Sequence, residues 1–174
     1  VKTVDDALPV LQLPATGDLE FWNNPTRVAE LQRTLRTFPR KQLWNRMEDL
    51  LRDYKPKGTR ARTNLLPDGE RDPTGRYLLE TIPSDLVTDG PVFELCRALS
   101  PDFVFNAVQV NKFKHYKQCQ LHLDRYNLGD SRWAMMGPCK GGGLQLDGGK
   151  LFWQKRRWHT FNGAVTPHRV TPFR

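Results

Sequence analysis

Two histidines and one aspartate carry the clearest chemistry in this sequence. His122 and Asp124 stand two residues apart in a strand-like run, so their side chains leave the backbone on one face. His168 follows 44 residues after Asp124, beside Pro167 and just after a turn. Two imidazoles and one carboxylate can occupy one face of an octahedral metal and leave three positions open, the ligand set of non-heme Fe(II) sites. The other reading is a pair of ordinary strand residues and a surface histidine, since a chain with four histidines can produce this spacing by chance. His115, among Lys112, Lys114, Tyr116 and Lys117, reads as a surface residue, and His159 as a packed or solvated strand residue. Cys119 and Cys139 lack the spacing of zinc ligands.

Strands must position such a triad, and after Ser100 the apolar period shifts toward two. Phe103, Phe105 and Ala107 alternate, followed by Val108 and Val110, Leu121 and Leu123, and Leu144 and Leu146. Leu151-Phe152-Trp153 and Trp158 to Phe161 are further strand candidates. Turns rich in glycine separate them at Gly141-Gly142-Gly143, Asp147-Gly148-Gly149 and Asn162-Gly163, which suggests a β-sandwich or barrel. The first half is helical. Residues 1–23 form an irregular lead-in, and Asn24-Pro25 then caps a helix carrying Val28, Leu31, Leu35 and Phe38 on one face. After Pro39, a second amphipathic run carries Leu43, Trp44, Met47, Leu50, Leu51 and Tyr54, and Pro91 to Leu99 reads as a short helix. Between them, residues 55–75 hold Lys55, Lys57, Arg60 and Arg62 among prolines and glycines, a basic loop that either meets a polyanion or is simply solvated.

The 174 residues suit one domain with its own core, which excludes a mainly disordered chain. No run approaches 18 apolar residues, so no membrane-spanning helix is expected, and the start lacks a signal-peptide stretch. Three cysteines without pairing spacing favour a reducing, intracellular compartment. A net charge of +8 suits nucleic-acid phosphates or an anionic membrane surface, with plain solubility as the bland reading, and decides nothing alone. Lys155-Arg156-Arg157 between Trp153 and Trp158 suits phosphate contact with base stacking, or else a charged hairpin tip.

The order of motifs adds a resemblance. Asn111-Lys112-Phe113 is followed by His122-Leu123-Asp124-Arg125-Tyr126-Asn127-Leu128-Gly129 and Gly141-Gly142-Gly143-Leu144-Gln145-Leu146. Phe161-Asn162-Gly163 and Pro167-His168-Arg169-Val170-Thr171-Pro172 complete the series. Over roughly residues 104–173 this resembles the jelly-roll core of the Fe(II)/2-oxoglutarate dioxygenases, and within them the branch of the ten-eleven-translocation and J-binding-protein nucleobase hydroxylases.

The resemblance implies an α+β fold, a double-stranded β-helix (jelly roll) over residues 100–174 preceded by a helical and basic-loop lead-in over residues 1–99, all one domain. It makes His122, Asp124 and His168 the Fe(II) ligands. Asn111 matches an asparagine that touches 2-oxoglutarate, and Phe113 stands where relatives often carry a tyrosine, so a hydroxyl contact is absent. Asn127 would sit near the substrate base or the co-substrate, with Arg125 and Trp158 as further substrate contacts. The expected reaction couples oxidative decarboxylation of 2-oxoglutarate to hydroxylation of a nucleic-acid base, with the methyl of a 5-methylpyrimidine in DNA favoured and ascorbate a candidate reductant. A monomer is expected, nuclear in a eukaryotic source. The alternatives are a protein side chain or small molecule as substrate, or a nucleic-acid-binding jelly roll without activity. One departure stands out. The family pairs the far carboxylate of 2-oxoglutarate with an arginine about nine or more residues after the distal histidine, a task suited to the guanidinium fork. Here the sequence reaches Arg174 six residues after His168, which leaves a chain cut short, substitution by Arg174, or another way of holding the co-substrate.

Overall fold

A computed structural model describes residues 11–54, 77–83, 90–113 and 121–174. The basic loop with Lys55, Lys57, Arg60 and Arg62, together with His115 and Cys119, lies outside the described residues. The elements in chain order are α1 (Leu19–Trp22), α2 (Pro25–Thr37), α3 (Arg40–Asp53), β1 (Tyr77–Pro83), α4 (Gly90–Leu99) and β2 (Ala107–Phe113). Then come β3 (Ser131–Trp133), β4 (Gly141–Leu146), β5 (Leu151–Phe152), β6 (His159–Phe161) and β7 (His168–Phe173). The chain divides into two compact units, Val1–Asp53 with Ile82–Val108 and Tyr54–Thr81 with Gln109–Arg174.

The helical unit follows its local signals. Pro25 occupies the first turn of α2, and the Asn24 side chain accepts a hydrogen bond from the Arg27 backbone at 3.2 Å, satisfying one of the donors a helix start leaves open. Leu31 and Leu35 of α2 and Leu43, Trp44 and Met47 of α3 are buried. Both helices pack against α4, where Leu95 is fully excluded from solvent. Arg40 donates from Nη1 to the Leu99 carbonyl at 3.0 Å, closing the C-terminal end of α4 with a cation, where the helix dipole favours one. The lead-in contains one helical turn, α1, because the Asp18 carboxylate accepts from the Phe21 backbone and caps it.

The strands are antiparallel where their register is defined. β4 lies between β5 and β7, with Leu144 opposite Phe152 on one side and Val170 on the other. β3 pairs with β6, Trp133 facing His159, and β1 pairs with β2. The architecture is α+β, and among the described residues these sheets do not close into a barrel. No described helix is long and apolar enough to cross a membrane.

Two expected strands take another form. Phe103 and Phe105 alternate because their rings stack in a row with Phe93 of α4, and the ladder begins only at Ala107. Residues 121–124 form a single bridge, His122 opposite His168, because the Asp124 N–H turns aside to the Gly163 carbonyl. β1 and β3 were not anticipated.

Candidate metal centre

The bridge between residues 122 and 168 builds the site. His122 and His168 exchange both backbone hydrogen bonds at 3.0 Å, so their side chains project from the same face, with ring centroids 4.5 Å apart. Two residues on, the backbone N–H of Asp124 donates to the Gly163 carbonyl at 2.8 Å, and the Asn127 N–H closes a turn onto the Asp124 carbonyl at 3.0 Å. These main-chain bonds hold the carboxylate so that Oδ2 lies 3.2 Å from His168 Nε2. One ligand atom from each of His122, Asp124 and His168 falls within 4.8 Å of the others, a group that can hold a metal ion.

The fit is specific at His168, which is 4% exposed. Its Nδ1 lies 2.9 Å from the Thr166 carbonyl, an acceptor only, so Nδ1 carries the proton and donates it. In the neutral ring Nε2 then offers a lone pair toward the Asp124 carboxylate. Two such acceptor atoms repel unless a proton or cation stands between them. Ligand atoms at right angles on a metal at about 2.1 Å would be about 3.0 Å apart, close to the observed 3.2 Å. A backbone carbonyl that fixes the tautomer of a ligating histidine is the usual outer support of a metal site. The edge of Phe161 packs on the same imidazole, with centroids 5.0 Å apart.

Thr166 and Gly163 were not assigned a role from sequence. The Phe161-Asn162-Gly163 motif acts through the turn it makes. Asn162 accepts backbone N–H groups from Val165 and Thr166 and so aims the Thr166 carbonyl at His168. A Cβ on Gly163 would lie 3.1 Å from His168 Cε1, 3.2 Å from Phe161 Cε2 and 3.5 Å from Asp124 Oδ2. Gly163→Ala is therefore expected to fold, to displace the imidazole by a few tenths of an ångström, and to weaken metal binding by about tenfold, the lower end for loss of outer support. Metal titration of the variant checks this, and parental affinity would show that the ring tolerates the methyl.

The other anticipated site residues are more dispersed. Asn127 is exposed beside Asp124, its Nδ2 3.5 Å from Ser131 Oγ, and Arg125 is exposed in the same turn. Trp158 is half-buried just before β6, three residues from Phe161. Asn111 is exposed on β2, where its Oδ1 accepts from Gln109 at 3.0 Å, and the Phe113 side chain lies outside the described residues. Arg174 is not brought to the triad. It exchanges backbone hydrogen bonds with Lys140 at the far end of β7, roughly 20 Å along the strand from His168. Arg169 turns to the opposite face of β7, donating from Nε to Gln145 Oε1 at 2.8 Å. Lys112 donates its ammonium to the Tyr54 carbonyl at 2.9 Å.

In the basic cluster, Lys155 donates to the carbonyls of Gly137 and Cys139 at 2.6 Å, so its ammonium ties the loop between β5 and β6 to the loop between β3 and β4. His159 stacks on Phe152 with centroids 4.4 Å apart. Burial lowers its pKa below the usual 6.5, Arg157 and Lys150 add to the shift, and a hydrogen bond with the Gln154 backbone opposes it. His159 is a packed ring whose surroundings disfavour its charged form.

Comparison with protein-family models, curated proteins and solved structures gave no significant match. The functional reading rests on the site itself and on the motif resemblance.

Proposed function

We propose that this chain is an Fe(II)/2-oxoglutarate-dependent oxygenase with a double-stranded β-helix core that hydroxylates a nucleic-acid base, the methyl of a 5-methylpyrimidine in DNA being the favoured target. The observation that carries this reading is the convergence of His122, Asp124 and His168, with the His168 tautomer set by Thr166 for ligation through Nε2. The jelly-roll reading draws support from β7 starting at His168 and running antiparallel to the Gly-Gly-Gly-Leu strand β4.

A bound Fe(II) with 2-oxoglutarate supplies the oxidising power for this chemistry: one atom of O2 enters the substrate C–H bond and the other enters succinate as CO2 leaves. The chain's own residues do the rest. His122 and His168 offer neutral nitrogen ligands and Asp124 an anionic one, which suits a divalent cation of intermediate hardness. Phe161 packs edge-on against the His168 ring, and Gly163, with no side chain, leaves the ring its place. Tyr126 and Leu128, 99% and 97% exposed, follow the Asp124 turn and offer aromatic and apolar surface to a base drawn out of its stack. Residues 121–174 carry nine Lys and Arg against three Asp, a charge excess that favours a phosphate backbone.

The position of Arg174 favours a second reading, in which the metal site is present but 2-oxoglutarate is not captured through that residue. Mass spectrometry of nucleosides after incubation of methylated DNA with protein, Fe(II), ascorbate and 2-oxoglutarate separates the readings. The expected result is a hydroxymethylated nucleoside formed one-for-one with succinate. Succinate without a modified nucleoside would move the substrate elsewhere, and iron binding with neither product would leave a metal-binding module without oxygenase activity.

A further inference from the structure

The end of the β5–β4–β7 sheet away from the metal centre gathers positive charge that the triad does not use. Residues 131–174 carry eight Lys and Arg against a single acidic residue, Asp147. Asp147 lies at the other end of β4, just past the Leu146–His168 pair. Lys140 and Arg174 exchange backbone hydrogen bonds at 2.7 and 3.2 Å, so two exposed cations stand directly opposite each other where the ladder ends. Like charges so placed destabilise a strand pair, and an anion between them reverses the sign.

The loop between β5 and β6 brings more cations to the same end and fixes them there. Besides the two bonds from the Lys155 ammonium, the Arg156 N–H donates to the Met135 carbonyl at 2.9 Å. These bonds hold Arg156 at φ +56°, a left-handed backbone uncommon for a residue with a side chain. Arg157 is exposed and spends one of its five donors on Gln154 Oε1, at 3.0 Å. Beside this charge stands an indole. Trp153 directly follows β5 and is 62% exposed. Phe152 is buried on the His168 face of the sheet, so by alternation Trp153 points to the other face.

We propose that this end of the sheet is a docking surface for a single strand of nucleic acid, with phosphates on Lys140, Arg157 and Arg174 and one base stacked on Trp153. Cations in a row with an exposed aromatic ring beside them suit a polyanion whose base faces are uncovered. In a duplex those faces are covered by neighbouring bases, so a duplex would meet the cations and leave Trp153 idle. An anionic membrane would also meet the charge, but insertion needs an apolar face. Here Leu151 leans over β4, its Cδ1 3.0 Å from where a Cβ on Gly143 would lie. The same sheet face carries the Arg169–Gln145 hydrogen bond, which hydrocarbon would strip of water. Arg174 lies roughly 20 Å along β7 from His168, so a strand held here is tethered, and the proposal does not rest on the oxygenase reading.

The test is fluorescence anisotropy of a labelled oligothymidylate of about 12 nucleotides, a length within the usual site size, titrated with the full chain in a chelator at low salt. Trp153→Ala is expected to weaken binding about 5–150-fold, the worth of one stacked base, and Trp153→Phe to recover part of the loss. Replacing Lys140, Arg157 and Arg174 together by alanine is expected to lower the log–log salt slope by about 2, at about 0.7 for each single-strand phosphate contact. All four side chains are exposed, so the variants are expected to fold, which thermal unfolding checks. The same strand annealed to its complement is expected to bind more weakly and to be indifferent to Trp153→Ala. Asp124→Ala is expected to bind the strand as the parent does, so failure of the metal-centre reading leaves this surface standing. Strand affinity that survives Trp153→Ala, a salt slope unchanged in the triple variant, or a preference for the duplex would overturn the proposal. So would no binding at low salt, or equal Trp153-dependent binding to vesicles of phosphatidylserine and phosphatidylcholine.

Discussion

Asp124→Ala is expected to weaken Fe(II) binding by more than about 100-fold while leaving the fold intact. Loss of outer support around a metal ligand costs about 10–100-fold, and loss of the ligand itself exceeds that. Asp124 is the anionic member of the triad, and the nearest acidic residue in sequence, Asp130, is exposed beyond Gly129. The fold is spared because the bonds that Asp124 makes to Gly163 and Asn127 run through its backbone, which alanine retains. His168 keeps its hydrogen bond to Thr166 as well, so the defect is confined to the missing carboxylate. Anaerobic titration with Fe(II), with Mn(II) as an air-stable probe, measures the loss, and circular dichroism checks the fold. Unchanged affinity in a folded variant would remove Asp124 from the metal site and with it the proposed chemistry.

Gly143→Ala is expected to destabilise the protein by about 3 kcal/mol, combining about 1–3 kcal/mol for overpacking with a similar range for backbone strain. Gly143 lies in the centre of β4, opposite Thr171 of β7, at φ +154°. A Cβ there would fall 2.4 Å from the Phe152 carbonyl oxygen and 3.0 Å from Leu151 Cδ1. The first atom belongs to the backbone of β5 and cannot swing aside, so the β5–β4 pairing must open. For a chain of this size each kcal/mol lowers Tm by about 2–4 °C, which predicts a fall of roughly 10 °C. Gly17→Ala is the control, since nothing lies within 4 Å of the added methyl. Thermal unfolding of the two variants gives the comparison. A shift at Gly143 no larger than at Gly17 would mean that the strand relaxes and that the third glycine serves only as a turn residue.

The glycine run shows how far sequence reading reaches. Gly141-Gly142-Gly143 was legible as a turn before a strand, which follows from residue type alone. That the third glycine sits against the β5 backbone depends on a neighbour that no local pattern names. The helices were the most legible part, because Asn24, Pro25 and the apolar spacing of α2 act within four residues of one another. β3 escaped notice for the converse reason: Ser131-Arg132-Trp133 has no alternation to detect and exists through its pairing with Thr160 and its neighbours. At Phe103 and Phe105 a period of two was present, and packing on Phe93 explains it without a strand.

By itself the sequence determined which residues can ligate, that residues 122 and 124 are close enough to act together, and where α2 and α4 form. Only the tertiary structure decided that His168 lies across a bridge from His122, that Thr166 holds the proton of its Nδ1, and that Arg174 ends up at the other end of β7. The physical reason is the range of the interactions. Caps, turns and helix faces are settled between residues a few positions apart, whereas strand pairing joins residues 46 apart here and depends on what the intervening chain folds into.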